Sequence, residues 1–440
     1  MANDYVKSFV QMCNYLQEPR HVARFQHLCG VRGTFPDTDT EPEGGQPEPD
    51  RPGLRKRLQR PDAGVRNGVA AAQQPNGMQG DAAAAGPDRS PSAAANVDAD
   101  TAIAKPLRRN SLTGDVGQEF LIHNKLLFYL FTFGTELGNE MFFIVFFPFL
   151  FWNIDPLVSR RLIVVWAWNL FVGQSTKDMV RWSRPASPPV VKVEVFYNSE
   201  YSMPSTHAMT GTAIPFCLLM LTYGRWEYPF LFGFSVALSW SILVCVSRVY
   251  MGMHSVLEVI TGFLYSLLIL AFFQPILDKI DTFYMMGHYA PLVIIISHVS
   301  FGLVAFSLDS WSTSRGDTAQ ALGTGAGAAL ATHVNYQLGL LLDPPLASLP
   351  LILPSISIGV VIRSLLRFFI GVAVLLITRM VMKAVTIPFL CRLFGLPSDD
   401  VRQARQHMKV ELPYRYIVYS VVGFSCVSVV PFLFRIVSLA

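Results

Sequence analysis

From about residue 120 onward the chain alternates long apolar runs with short polar breaks. The runs fall at about 126–153, 161–176, 206–223, 228–248, 255–274, 289–307, 320–343, 363–387 and 413–437. Most come near the roughly 20 residues that a helix needs to cross a bilayer. The pattern predicts an all-α polytopic membrane helix bundle of about nine spans. Two stretches leave the count open. The first run holds Glu136, Asn139 and Glu140 and divides equally well into 119–135 and 138–154. Leu346 to Val361 is apolar but proline-rich, which suits a re-entrant or interfacial piece as well as a span.

The first 118 residues follow another pattern. Val6, Phe9, Val10, Cys13 and Leu16 recur at helical spacing, so residues 1–30 hold an amphipathic helix over Asp4 to Gln17, and Val22, Phe25 and Leu28 continue it after Pro19. Docking on the membrane, docking on the protein itself and a solvated helix all fit. Met1 to Pro19 lacks the apolar core expected of a signal peptide. Residues 31–118 turn to Pro, Gly, Ala, Asp, Gln and Arg with almost no aromatic residues, a composition too poor in apolar area to offset chain entropy; disorder is expected there. Arg108-Arg109-Asn110-Ser111 near its end has the form of a basophilic kinase target.

Composition sharpens the class. Over 440 residues, 51% hydrophobic and only 15% charged content mark an integral membrane protein, and a net charge of +4 gives no case for nucleic acid. Cys13, Cys29, Cys217, Cys245, Cys391 and Cys426 show neither paired nor zinc-site spacing, so no structural disulfide is expected.

Three polar islands interrupt the apolar background in order. They read Lys177-Asp-Met-Val-Arg-Trp-Ser-Arg184-Pro185, then Pro204-Ser205-Thr206-His207, then Ser247-Arg248-Val-Tyr-Met-Gly-Met-His254-Ser-Val-Leu-Glu258. Phosphoryl transfer asks a protein to hold a multiply charged group and stabilise its equatorial oxygens, which Arg does bidentately and Lys as a point charge. Lys177, Arg184 and Arg248 supply those cations; Ser205, Thr206 and the amides at a helix start before His207 complete an anion cradle with no metal or cofactor. Two histidines permit covalent catalysis. Glu258, four residues after His254, shares its helical face and fixes its tautomer, which makes His254 the nucleophile and His207 the general acid and base. Glu200 lies nearby in a loop. Counting crossings puts all three islands on one membrane face.

Lys-x6-Arg-Pro, Pro-Ser-x-His and Ser-Arg-x5-His-x3-acid resemble the tripartite signature of the type 2 phosphatidic acid phosphatase superfamily and the vanadium haloperoxidases, over about residues 130–275. The long polar N-terminus, the Tyr-Met-Gly-Met-His run and the spans beyond the third island make the chain most similar to the sphingosine-1-phosphate phosphatases, and within them to the type 1 branch. The resemblance implies a phosphatase core over 119–275 with additional helices over 276–440, a phosphohistidine mechanism, sphingosine 1-phosphate and dihydrosphingosine 1-phosphate as substrates, an endoplasmic reticulum membrane and a lumenal site. Two positions depart from the superfamily pattern: Thr206 stands where Gly is common, and Glu258 where Asp is usual.

Each residue alone has a blander reading. A cation at a span end is more often a snorkelling anchor, and Arg181, a spacer, keeps that reading. Leu322-Gly-Thr-Gly-Ala-Gly-Ala-Ala329 reads as a helix-packing stripe, since no Lys-Ser/Thr follows it as in a phosphate loop. Ser314-Arg315-Gly316-Asp317 and His333 read as packing or a lid. The Lys- and Arg-rich segment 379–415 favours the cytosol. With nine spans it shares the active-site face, and with one more crossing it lies opposite. A phosphatase for phosphatidate, an isoprenyl diphosphate or glucose 6-phosphate, an anionic-lipid transporter and a silent scaffold are the alternatives; the helical His254/Glu258 pair weighs against the transporter, and retention of every candidate side chain but the Asp-to-Glu change weighs against the scaffold. Oligomeric state leaves no trace in the pattern.

Overall fold

The computed structural model describes residues 2–33, 103–104, 120–194, 200–309, 312–341, 343–344, 346–352, 357–396 and 408–439. The kinase-type motif at Ser111 and most of 31–118 lie outside the described residues. Two helices open the chain, α1 (Ala2–Gln17) and α2 (Pro19–Leu28), broken by Pro19 at the first position of the second. Tyr5, Val6, Phe9 and Met12 of α1 are exposed although the helix packs on the protein at α8, and α2 docks at α7. A small antiparallel sheet follows, with β1 (Val31–Gly33) and β2 (Ile103–Ala104) flanking β3 (Phe120–Ile122). It is the one departure from an all-α fold among the described residues; strands of two or three residues leave no alternating pattern to read.

The bundle comprises α3 (Lys125–Glu136), α4 (Glu140–Asn153), α5 (Pro156–Val180), α6 (Thr206–Thr222), α7 (Phe230–Tyr250), α8 (Val256–Phe273), α9 (Leu277–Met286), α10 (Ala290–Leu308), α11 (Ser314–Gln337), α12 (Ile358–Phe394), α13 (Met408–Phe424) and α14 (Val430–Ile436), the last two joined by a π-helical turn, Ser425–Val429. Side-chain caps fix many of the starts: Asn124, Asn139, Asp155, Ser205, Ser255 and Ser357 each accept a backbone N–H of the first turn. The first apolar run divides, with α3 and α4 meeting at a 64° bend.

Nine spans are not what length and composition give. Among the described residues five helical stretches qualify, Phe230–Tyr250, Val256–Met286, Ala290–Leu308, Ile358–Phe394 and Met408–Ile436, or six with the bent α3–α4 pair. The runs at 161–176, 206–223 and 320–343 are also helices, but α6 has only 17 residues and α5 and α11 bury polar groups such as Arg160, Lys177, Asp178 and Thr318. A helix enclosed by protein can satisfy such groups internally; one facing lipid cannot. The lipid-facing helices show the opposite character, with Leu292, Leu303, Phe369 and Met380 apolar and exposed. Leu346–Ser348 forms a single 3₁₀ turn, so the proline-rich stretch is no spanning helix among the described residues.

Small residues let α11 and α13 nearly touch. A methyl group at Gly323 would meet the Tyr416 carbonyl, and one at Gly423 the Thr324 carbonyl. The small-residue stripe is thus a packing face. Ser314 donates to Asp178 at 2.8 Å and His333 Nδ1 lies 3.0 Å from the Tyr284 carbonyl, so both belong to packing rather than to a lid. All six cysteines are free thiols.

Candidate active site

Four helix ends meet at one end of the bundle: the C-termini of α5 and α7 and the N-termini of α6 and α8. They carry Lys177, Arg248, Thr206 and Glu258, and the short turn before α8 carries His254. All three polar islands therefore converge. Arg379 and Arg415 line a cavity with His207 at this same end.

His254 is nearly fully buried and held from both sides. Its Nδ1 lies 3.2 Å from Glu258 Oε2 and 3.3 Å from Ser202 Oγ, and Ser202 donates a short hydrogen bond to the same carboxylate. The Ser255 amide donates to Glu258 at 2.9 Å, closing a capping box, so the start of α8 fixes the carboxylate that fixes the imidazole. The other ring nitrogen, Nε2, lies 3.4 Å from Arg184. Burial, together with Arg184, Arg248 and Lys177, pushes the His254 pKa well below the usual histidine value. The ring is neutral at physiological pH, as a nucleophile must be.

The cations are engaged by carboxylates of the preceding loop. Lys177 Nζ bonds Glu200 at 3.1 Å and Thr206 Oγ1 at 3.1 Å, Arg184 reaches Glu200 at 3.5 Å, and Arg248 pairs with Glu194 at 2.9 Å. Burial acts to raise the Glu200 pKa, but Lys177 and Arg184 outweigh it and hold the carboxylate ionised. Among the described residues, fully buried Arg248 has no acceptor for Nε and one terminal nitrogen, and Arg184 none for its Nε. Those donors suit the oxygens of an anion. Arg184 is itself anchored by the Met253 carbonyl at 3.1 Å.

Ser205 opens α6 and ties it to α8. Its hydroxyl accepts the Ala208 amide as N-cap of α6, and its own amide donates to the Glu258 carbonyl at 3.3 Å, tying α6 to α8. Thr206 and His207 occupy the first turn, where backbone N–H groups lack intrahelical partners. Arg181 is exposed and turned away, capping α5 with φ 57° and bonding the Leu308 carbonyl. Sequence reasoning missed Ser202 and Glu194 and left Glu200 without a role; all three sit in an aperiodic loop with nothing but polarity to mark them.

Residues 158–280, which carry all three islands, match the PAP2 superfamily. Two curated proteins named sphingosine-1-phosphate phosphatase 1 match nearly end to end, that of rat at 50% identity over 97% of each chain and that of mouse at 49% over 98% of each. The chain belongs to the sphingosine-1-phosphate phosphatase family of the PAP2 superfamily. Human sphingosine-1-phosphate phosphatase 2 is 34% identical over 98% of this chain and 99% of its own, which puts the type 1 branch nearer. The chain is therefore a phosphatase, a phosphoric monoester hydrolase, embedded in a membrane by several helices. No solved structure matches it.

Proposed function

We propose that the chain hydrolyses sphingosine 1-phosphate and related sphingoid-base 1-phosphates through a phosphohistidine on His254, without a metal, in the membrane of the endoplasmic reticulum. The observation that carries the mechanism is the two-sided placement of His254, with Nδ1 on Glu258 and Nε2 facing Arg184. In the first step Nε2 attacks phosphorus while the bond to the lipid oxygen breaks, and His207, protonated when the phosphate anion binds beside it, hands that proton to the departing alkoxide. Arg184, Arg248, Lys177 and the first turn of α6 stabilise the equatorial oxygens. Phosphate takes Lys177 and Arg184 in place of Glu200, whose carboxylate occupies them in the structure. In the second step water, deprotonated by His207, attacks the phosphohistidine, and His254 leaves with its electron pair.

The names of the relatives and the burial of the site at helix ends support the lipid substrate: the headgroup is cleaved while the tail stays in the bilayer. Nine crossings also fit, because α5 and α11, at about 1.5 Å per residue, are long enough to traverse within the protein. The test is phosphate release by detergent-purified protein in EDTA, from sphingosine 1-phosphate and from phosphatidate, beside His254→Ala. Sphingoid preference and loss of turnover in the variant are expected. Dependence on added magnesium would contradict the mechanism, and equal turnover of phosphatidate the substrate.

A further inference from the structure

A chamber of about 510 Å³ lies against the catalytic site, bounded at one end by Glu200, Thr206 and His207. Its remaining walls come mostly from α4, α11, α12 and α13, outside the span that matches the superfamily. Three further carboxylates line it. Asp317 and Glu411 both pair with Arg415, at 3.2 and 2.9 Å. Glu140 differs: its Oε2 accepts the neutral Gln320 amide at 3.0 Å, while Arg415 is taken by Asp317 and Glu411. In a low-dielectric chamber such a carboxylate has electrostatic room for a cation.

Its position is tied to the reacting end. Thr210, one turn after Thr206 on α6, donates to the Gly138 carbonyl at 3.2 Å. Gly138 packs so close to His207 that an added methyl group would lie 3.3 Å from the His207 carbonyl oxygen. Glu140 follows two residues later. The chamber also adjoins a narrower apolar slot through shared walls at Met141, Phe143, Trp166 and Tyr419. Phe147 and Pro148 of α4, Leu375 and Leu376 of α12 and Val422 of α13 line that slot, and Met141 and Leu376 are exposed on the outer surface. A path thus runs from His207 past Glu140 to the lipid-facing side.

We propose that Glu140 binds the ammonium group of the substrate headgroup, so that the chamber selects lipid monophosphates bearing an amine beside the ester carbon, with the tail leaving through the slot between α4, α12 and α13. The inference rests on the sphingoid reading above and adds the residue that enforces it. Phosphatidate carries no such cation and gains nothing from Glu140.

The test compares full-length wild type and Glu140→Gln on sphingosine 1-phosphate and on N-acetylsphingosine 1-phosphate, whose nitrogen is neutral. Wild type should prefer the free amine. Glu140→Gln should lose about 30-fold or more in kcat/KM on the free amine, the usual scale for removing one partner of a buried charge pair, mostly through KM. It should keep turnover of the N-acetyl substrate within about threefold, as a variant losing no contact to that neutral group does, which also shows that it folds. A Glu140→Gln enzyme that retains the wild-type preference overturns the role of Glu140 and leaves the substrate reading standing. A wild type with no preference for the free amine overturns both.

Discussion

Glu258 serves two structures at once, since one oxygen closes the capping box of α8 and also orients His254. Glu258→Gln keeps the shape but removes the charge that stabilises the ring as it becomes phosphorylated. Its kcat should fall about 100-fold or more with KM little changed, measured by steady-state phosphate release. The pH dependence follows from the neutral ring. Because burial and three cations lower the folded-state pKa of His254, its unfolded form, titrating near pH 6.5, binds the extra proton first. Stability from this residue is therefore complete above about pH 6.5 and is lost as pH falls through the lower folded value. The acid limb of kcat/KM should lie well below about pH 6.5 for the same reason, and Arg184→Gln, which removes one of those cations, should move it upward. At this scale the sequence was legible wherever spacing had chemical meaning. The four-residue step from His254 to Glu258 gave the pair; Ser202, 52 positions before the histidine it touches, had no spacing to announce it.

At the scale of elements, the N-terminal helices matter through one side chain. Gln26 on α2 is buried, donates to the carbonyls of Val191 at 2.7 Å and Tyr250 at 2.9 Å, and accepts the Val191 amide at 3.0 Å. It thereby clamps the loop that supplies Glu194 and Glu200 to the turn that supplies His254. Gly252 completes the clamp: at φ +70° it lies against Gln26 and the Val191 carbonyl with no space for a side chain. Gln26→Ala leaves three backbone groups without that partner, and a loss of about 1–3 kcal/mol is expected in thermal unfolding, together with a several-fold drop in kcat. The apolar periodicity of the N-terminus foretold two helices but not how α2 would dock, because a buried glutamine is invisible to a search for apolar faces.

The whole molecule is held at its other end by charge. Arg160 of α5 bonds Asp281 at 2.8 and 3.0 Å and Asp343 at 2.8 and 2.7 Å, and Arg161 joins Asp281 at 3.0 Å. Arg160→Ala leaves buried Asp281 with Arg161 alone and takes two hydrogen bonds from partly exposed Asp343, and should cost about 1–3 kcal/mol, seen as a lower unfolding midpoint in detergent, while the folded fraction keeps its kcat. The same interior polarity explains why nine apolar runs resolve, among the described residues, into five or six helices of membrane character: hydropathy reports what faces lipid, and α5, α6 and α11 mostly face protein. The bundle is legible from runs and breaks; which helices form its centre depends on partners far along the chain, such as α13 against α11. The central claim is that this framework presents His254 to phosphorus, and quenching a single turnover of sphingosine 1-phosphate, then mapping the phosphorylated peptide by mass spectrometry, tests it most directly. The account predicts phosphate on His254 and none in His254→Ala. Phosphate on His207, or undiminished turnover by His254→Ala, would contradict it.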